Sequence, residues 1–336
     1  MFKRLAATVV MLLLTAHANA QVPGSPHFTI EKLADGVYAA IAADTGFAVC
    51  NAGIVDLGDG VLILDPFISP RAAADLRRAA IALTGKSVIY VVNSHFHNDH
   101  IRGNQEFSGA HIVSTVWTRK AIAENEPEEI LWEKANVATK LSAARKALAV
   151  EPDNDRQTEA WFWVKYYESI MDSQGSLRTV LPDVTFEGKL VLQGPTRSVE
   201  LLETGRGHTE SDLILYLATE GIVFTGDVLF INRHPYLPDG FPDDWVHALE
   251  RVAALSVRTV VPGHGPVGNA SHLATMAGYI KAVEDLAAQL AKRGATEQEI
   301  ASQAVPSAFQ TWWYGRFFQP NLKYMISLAK GPHAKD

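Results

Sequence analysis

Cysteine is nearly absent from this 336-residue sequence, with Cys50 standing alone. One cysteine excludes an intrachain disulfide, and it leaves metal ligation to imidazoles and carboxylates. Cys50 itself lies in the apolar stretch Phe47-Ala48-Val49-Cys50 and reads as buried and inert. Positive charge is scarce too: 30 Lys and Arg face 37 Asp and Glu, a formal charge of −7. No basic block or stripe neutralises a phosphate backbone, which argues against nucleic acid as a partner. Long apolar runs are missing, so no segment reads as a membrane span. The one short run, Leu5–Leu14, follows Lys3 and Arg4 and precedes Ala18-Asn19-Ala20. That pattern predicts a secretory signal cleaved after Ala20 and an exported chain, periplasmic or secreted. Low-complexity tracts and short repeats are also lacking. The chain beyond the signal suffices for one large domain with an insertion, or for two domains.

Histidine is what the chain has, and it is clustered. Residues 94–100 read Ser-His-Phe-His-Asn-Asp-His directly after the apolar run Val88–Val92. A buried strand ending in His95, His97, Asp99 and His100 delivers ligands at the carboxyl end of a sheet, where α/β proteins hold their sites. Three further ligand-competent side chains stand in Gly-containing turns after strand-like runs. They are His208 in Gly205–Thr209, Asp227 after Thr225-Gly226, and His264 in Pro262–Pro266. His95 and His97, two apart, project to one side of an extended segment, whereas adjacent Asp99 and His100 suit a turn.

The intervening chain predicts two blocks of strands, each followed by helices. The first holds strands broken at Asp35-Gly36, a run from Phe47 to Val55, a Gly58-Asp59-Gly60 hairpin and the central strand Val61–Leu64 closed by Asp65. A helix over Arg71–Leu83 opens at Pro70 and stops at Gly85. After His111–Ser114 the character turns helical to about residue 182, with breaks expected at Pro127 and Pro152-Asp153-Asn154. The second block runs from Val184 to Val261, with helices over Asp243–Leu255 and Ser271–Lys292. Residues 21–27 read as an exposed leader, and Thr296–Lys330 as further helix. Aromatics gather in 117–167 and 312–318, where they either fill core or wall a pocket.

The sequence resembles the metallo-β-lactamase superfamily, whose signature is His-x-His-x-Asp-His followed by a His, an Asp and a His on successive loops. The resemblance covers roughly residues 28 to 290. It implies an α/β (α+β) fold, a four-layer αββα sandwich over 21–293 with a helical insertion at about 116–182 and a tail at 294–336. It also implies a dinuclear zinc site, with iron or manganese as alternatives. His95, His97 and His208 would hold one metal, and Asp99, His100 and His264 the other, with Asp227 bridging both. Asp99 would orient a metal-bridging hydroxide attacking an ester, thioester, lactone or amide of small-molecule size. Asp65 either orients a ligand or merely forms its turn. Lactamases typically carry Cys or Ser where Asp227 stands; a bridging Asp is the glyoxalase II-like pattern, so β-lactam hydrolysis is the second reading. A non-catalytic, metal-stabilised binding module is the third.

Overall fold

The computed structural model describes residues 24–152 and 154–331. The expected signal at 1–20 lies outside them. Seven strands form the first sheet in sequence order: β1 (Phe28–Ala34), β2 (Val37–Ala42), β3 (Ala52–Asp56), β4 (Val61–Leu64), β5 (Val88–Val92), β6 (His111–Thr115) and β7 (Val184–Phe186). The first four pair antiparallel, and β4 to β7 pair parallel. Five strands make the second sheet: β8 (Lys189–Gln193), β9 (Ser198–Gly205), β10 (Asp212–Leu217), β11 (Ile222–Phe224) and β12 (Thr259–Val261), in the order β12-β11-β10-β9-β8.

Side-chain alternation dictates the layering. In β4, Val61 and Ile63 pack under the helix α1 (Pro70–Thr84) with Leu76, whereas Leu62 and Leu64 face the other way. They meet Leu201, Leu213, Leu215 and Phe224 of the second sheet. The outer face of that sheet, Ile214, Tyr216 and Val260, is covered by α5 (Pro242–Ala253) and α6 (Ser271–Lys292). Helix, sheet, sheet, helix is therefore the order of layers. It is the αββα sandwich that the sequence predicts.

Two long helices, α3 (Val116–Val150) and α4 (Asn154–Ser173), separate β6 from β7. Four expectations are corrected here. Pro127 does not break α3, because it sits on the exposed face, where the carbonyl it leaves unbonded, on exposed Ala123, can turn to water. The strand read from Phe47 begins only at Ala52, since Val49 adopts φ +75° and turns the chain. Of the expected leader, 21–23 lie outside the described residues, and its end is not exposed, for His27 is buried and stacks on Phe47 at 5.3 Å. The tail is not one helix. Between the short α7 (Glu297–Ala301) and α8 (Phe318–Ala329) it runs irregularly, with Tyr314 at φ +62°.

Candidate metal centre

Because β4 and β5 are parallel, the segments leaving them emerge at one edge. Asp65, held at φ +54° just past β4, accepts a hydrogen bond from the Ser94 N–H (2.8 Å) and one from His100 Nδ1 (2.9 Å). That contact fixes the His100 tautomer and aims Nε2 inward. Asn93 and Asn104 exchange side-chain hydrogen bonds of 3.0 and 2.9 Å, and Asn93 also donates to the His100 carbonyl, pinning the loop. A single helical turn, α2 (Asn98–Ile101), swings Asp99 and His100 away from His95 and His97. His95 Nδ1 meets Ser94 Oγ (2.9 Å), and His97 Nε2 meets Asp239 Oδ2 (3.2 Å). Their remaining ring nitrogens then converge: His95 Nε2 and His208 Nε2 lie 3.0 and 2.9 Å from His97 Nδ1.

The other three ligands arrive from the second sheet. His208 follows β9, and buried Asp212 holds its loop, accepting from the N–H groups of His208 and Thr209 and from Thr209 Oγ1. Thr209 and Ser211 act as turn formers. Asp227 follows β11 and faces both groups. Its Oδ2 lies 3.3 Å from His208 Nε2, 3.4 Å from His264 Nε2 and 3.9 Å from His95 Nε2, while Oδ1 lies 3.3 Å from His100 Nε2. Asp99 Oδ2 is 3.3 Å from His264 Nε2 and 3.5 Å from His100 Nε2. His264 follows β12, where a Cβ on Gly263 would collide with Asp227 Oδ1, so only glycine lets the two loops approach. Asn51 anchors this last loop by donating to the carbonyls of Pro262 and Gly265.

All seven sequence-predicted ligands thus meet at one sandwich edge, with Asp65 directly behind His100. Their chemistry fits a cation. Burial, reinforced by the neighbouring imidazoles, holds His95 well below its ordinary pKa; burial likewise lowers His208 despite Asp227, leaving lone pairs available. His264 is pushed the other way, to about 9, because Asp227 and Asp99 outweigh its burial. The carboxyl of Asp227 stays well below the usual range, with His264 and His100 overriding burial. Two buried atoms that face one another, His100 Nε2 and Asp227 Oδ1, have no hydrogen-bond partner. A bound cation satisfies both. Cys50 Sγ lies close by but donates to the Asp99 carbonyl, and burial pushes the thiol up to about 12, so it remains protonated.

A cavity of about 270 Å³ opens onto the cluster, reaching His97, Asp99, His208, Asp227 and His264. The helical aromatics divide. Phe162 and Tyr167 are buried, Trp163 and Tyr166 line the cavity, and Trp117, Trp132 and Trp161 are exposed. In the tail, Trp312 and Phe318 join the core while Tyr314 and Phe317 line the cavity. Several neighbours escape sequence reasoning. Asp212 was legible only as one charge heading the apolar run Leu213–Leu217, and Asp239 gives no pattern at all. Arg102, buried against Glu126 and Glu133, had a visible signal, since those two and Glu129 recur at helical spacing.

An αββα sandwich carrying five imidazoles and two carboxylates at one edge defines an α/β protein with a candidate metal centre. The family model of the metallo-beta-lactamase superfamily matches residues 45–264, more than half of the chain. The chain belongs to that superfamily. Among curated proteins it is similar to the Beta-lactamase-like protein 2 homolog of Caenorhabditis elegans, 24% identical over 244 residues. That match takes in 71% of this chain and 64% of the relative, a little under two thirds of its length. Two solved structures share the fold. A metallo-beta-lactamase from Pontibacter korlensis matches at TM-score 0.56 and 18% identity, over 76% of this chain and 99% of that one. The inverting sec-alkylsulfatase Pisa1 from a Pseudomonas species matches at 0.63 and 15%, over 92% of this chain and 51% of that one.

Proposed function

We propose that the protein is an exported, dinuclear zinc hydrolase acting on a small carbonyl substrate: an ester, thioester, lactone or amide. The observation that carries this reading is Asp227, which stands between the two groups, its Oδ2 facing His95, His208 and His264 and its Oδ1 facing His100. Two divalent cations held there would supply hydroxide near neutral pH and polarise the carbonyl. Ser94, Asp65 and Asp239 fix the orientation of three imidazoles, so little reorganisation accompanies reaction. Asp99 Oδ2, beside His264, is the carboxylate oxygen placed to orient the attacking water and pass its proton to the leaving group. On this reading the catalytic domain spans 21–293 with 116–182 as its insertion, and the tail that begins at 294 packs on it through Trp312, Phe318 and Leu322. The open cavity argues against a purely structural metal site, which would be closed by protein. Asp227 in the bridging position argues against a dedicated β-lactamase.

A hydrolysis screen of the zinc-loaded protein against aryl esters, lactones, thioesters, phosphodiesters, sulfate esters and cephalosporins tests the reading. Turnover of one carbonyl class well above the rest is expected. Cephalosporin hydrolysis dominating the screen would restore the lactamase reading. Metal content below one equivalent per chain after reconstitution would end the dinuclear one.

A further inference from the structure

We infer that the substrate group seated beside the metal centre is uncharged and apolar, an alkyl or aryl acyl chain, and that this pocket refuses anions. The inference rests on the hydrolase reading and narrows its substrate class. Seven aromatic residues wall the cavity: Phe162, Trp163 and Tyr166 from α4, Phe230 just after Asp227, Tyr236 from the loop before α5, and Tyr314 and Phe317 from the tail. Among the described residues, the charged ones lining it beyond the ligand cluster are Glu129 and Asp239, with no Lys or Arg.

Recognition of a carboxylate, sulfate or phosphate in a partly desolvated pocket requires a guanidinium, an ammonium or converging N–H donors. The guanidiniums nearest the wall are committed elsewhere. Arg102 is buried against Glu126 and Glu133. Arg316 stacks on Trp163 at 4.0 Å and donates to Tyr167 Oη. Arg233 lies over Trp313 at 4.3 Å, within 3.8 Å of Asp44. Two of the wall's N–H groups are turned onto protein: Trp163 Nε1 donates to Glu159 Oε1, and Asn98 Nδ2 donates to Tyr166 Oη and Glu129 Oε1. What a ligand meets is ring surface with the phenol edges of Tyr236 and Tyr314, flanked by carboxylates that repel an anion. Glu129 does not supply a strong cation site either, because burial lifts its carboxyl to about 7 and it already faces Asn98 and Arg102.

Three anilides of matched length test this on the full-length protein: butyranilide (neutral), succinanilate (anionic) and β-alanine anilide (cationic). Binding is read by tryptophan fluorescence and calorimetry, with and without zinc. Butyranilide is expected to bind at least tenfold more tightly than either charged probe in both forms. Tyr236→Arg, at a half-exposed rim position, is expected to narrow the neutral-to-anionic ratio about tenfold with the melting temperature unchanged. Equal or tighter binding of succinanilate or β-alanine anilide overturns the proposal, as does binding of none of the three at millimolar concentration. In parallel, the zinc-loaded protein is given 4-nitrophenyl butyrate and 4-nitrophenyl hemisuccinate. Equal kcat/KM for the two overturns the proposal while leaving the hydrolase reading intact. Selective anilide binding without cleavage of either ester supports the pocket chemistry and defeats the hydrolase reading instead.

Discussion

At the scale of single residues, the centre depends on atoms that bind no metal. In the sequence Asp65 closes a strand and either orients a ligand or merely forms its turn. Its position under both Ser94 N–H and His100 Nδ1 makes it the group that presets the second triplet. Asp65→Asn should therefore weaken metal binding by about 10- to 100-fold, the usual cost of losing an outer carboxylate–histidine contact; competition with a chromogenic chelator measures it. Asp227→Ala should go further, abolishing hydrolysis and reducing metal occupancy by elemental analysis. Full retention of activity would remove its bridging role. Gly263 is the counterpart on the backbone: any side chain there meets Asp227. The ligands were readable because each stands beside a strand or a Gly turn in sequence. Asp239 was not, because its partner His97 is 142 positions away and nothing local marks it.

At the scale of elements, most strands and the three sandwich helices follow from local pattern, whereas α3 departs from it. Pro127 predicts a break, yet the helix continues, anchored by Ile122, Glu126, Glu133 and Val137 on its buried side. The missing hydrogen bond is borne on the solvent side, so Pro127→Ala should stabilise the protein by about 1–3 kcal/mol in denaturant titrations. The same helix joins the site through Arg102. This buried guanidinium, one turn past the ligand loop, pairs with Glu126 and Glu133. Replacing Arg102 with Met leaves those carboxylates buried without their cation, at a cost of about 3–5 kcal/mol. A shift of the unfolding midpoint under about 1 kcal/mol would show the network to be incidental. The acidic residues at 126, 129 and 133 share one helical face, and packing is what turns that face toward an arginine in another element.

At the scale of the whole molecule, the two sheets each supply part of one centre, so metal and fold are linked. Chelation should lower the melting temperature, by an amount that grows with the logarithm of metal concentration in the loaded protein. His234 ties the tail to the second half. It is buried between Tyr279 and Trp312, its N–H donates to the Trp313 carbonyl, and burial lowers its pKa to about 4. Above pH 6.5 the residue is neutral whether the chain is folded or not. As pH falls from 6.5 to 4, the unfolded chain takes up a proton that the folded one refuses, and stability drops by about 2–3 kcal/mol. Melting curves at pH 7.5 and 4.5 should show a smaller acid loss for His234→Phe than for the parent protein.

The sequence by itself marked the candidate donors, the strand ends at which they stand and the two blocks of strands followed by helices, while its family resemblance implied the sandwich. Those features are written in short-range signals: alternation along strands, glycine in turns, and imidazoles and carboxylates where strands stop. Tertiary structure alone decided which distant groups complete the site. Cavity walls come from α4 and from an irregular tail over a hundred residues apart, brought together by packing that no local pattern encodes. The metal chemistry is local in the chain; the surface that meets a substrate is not.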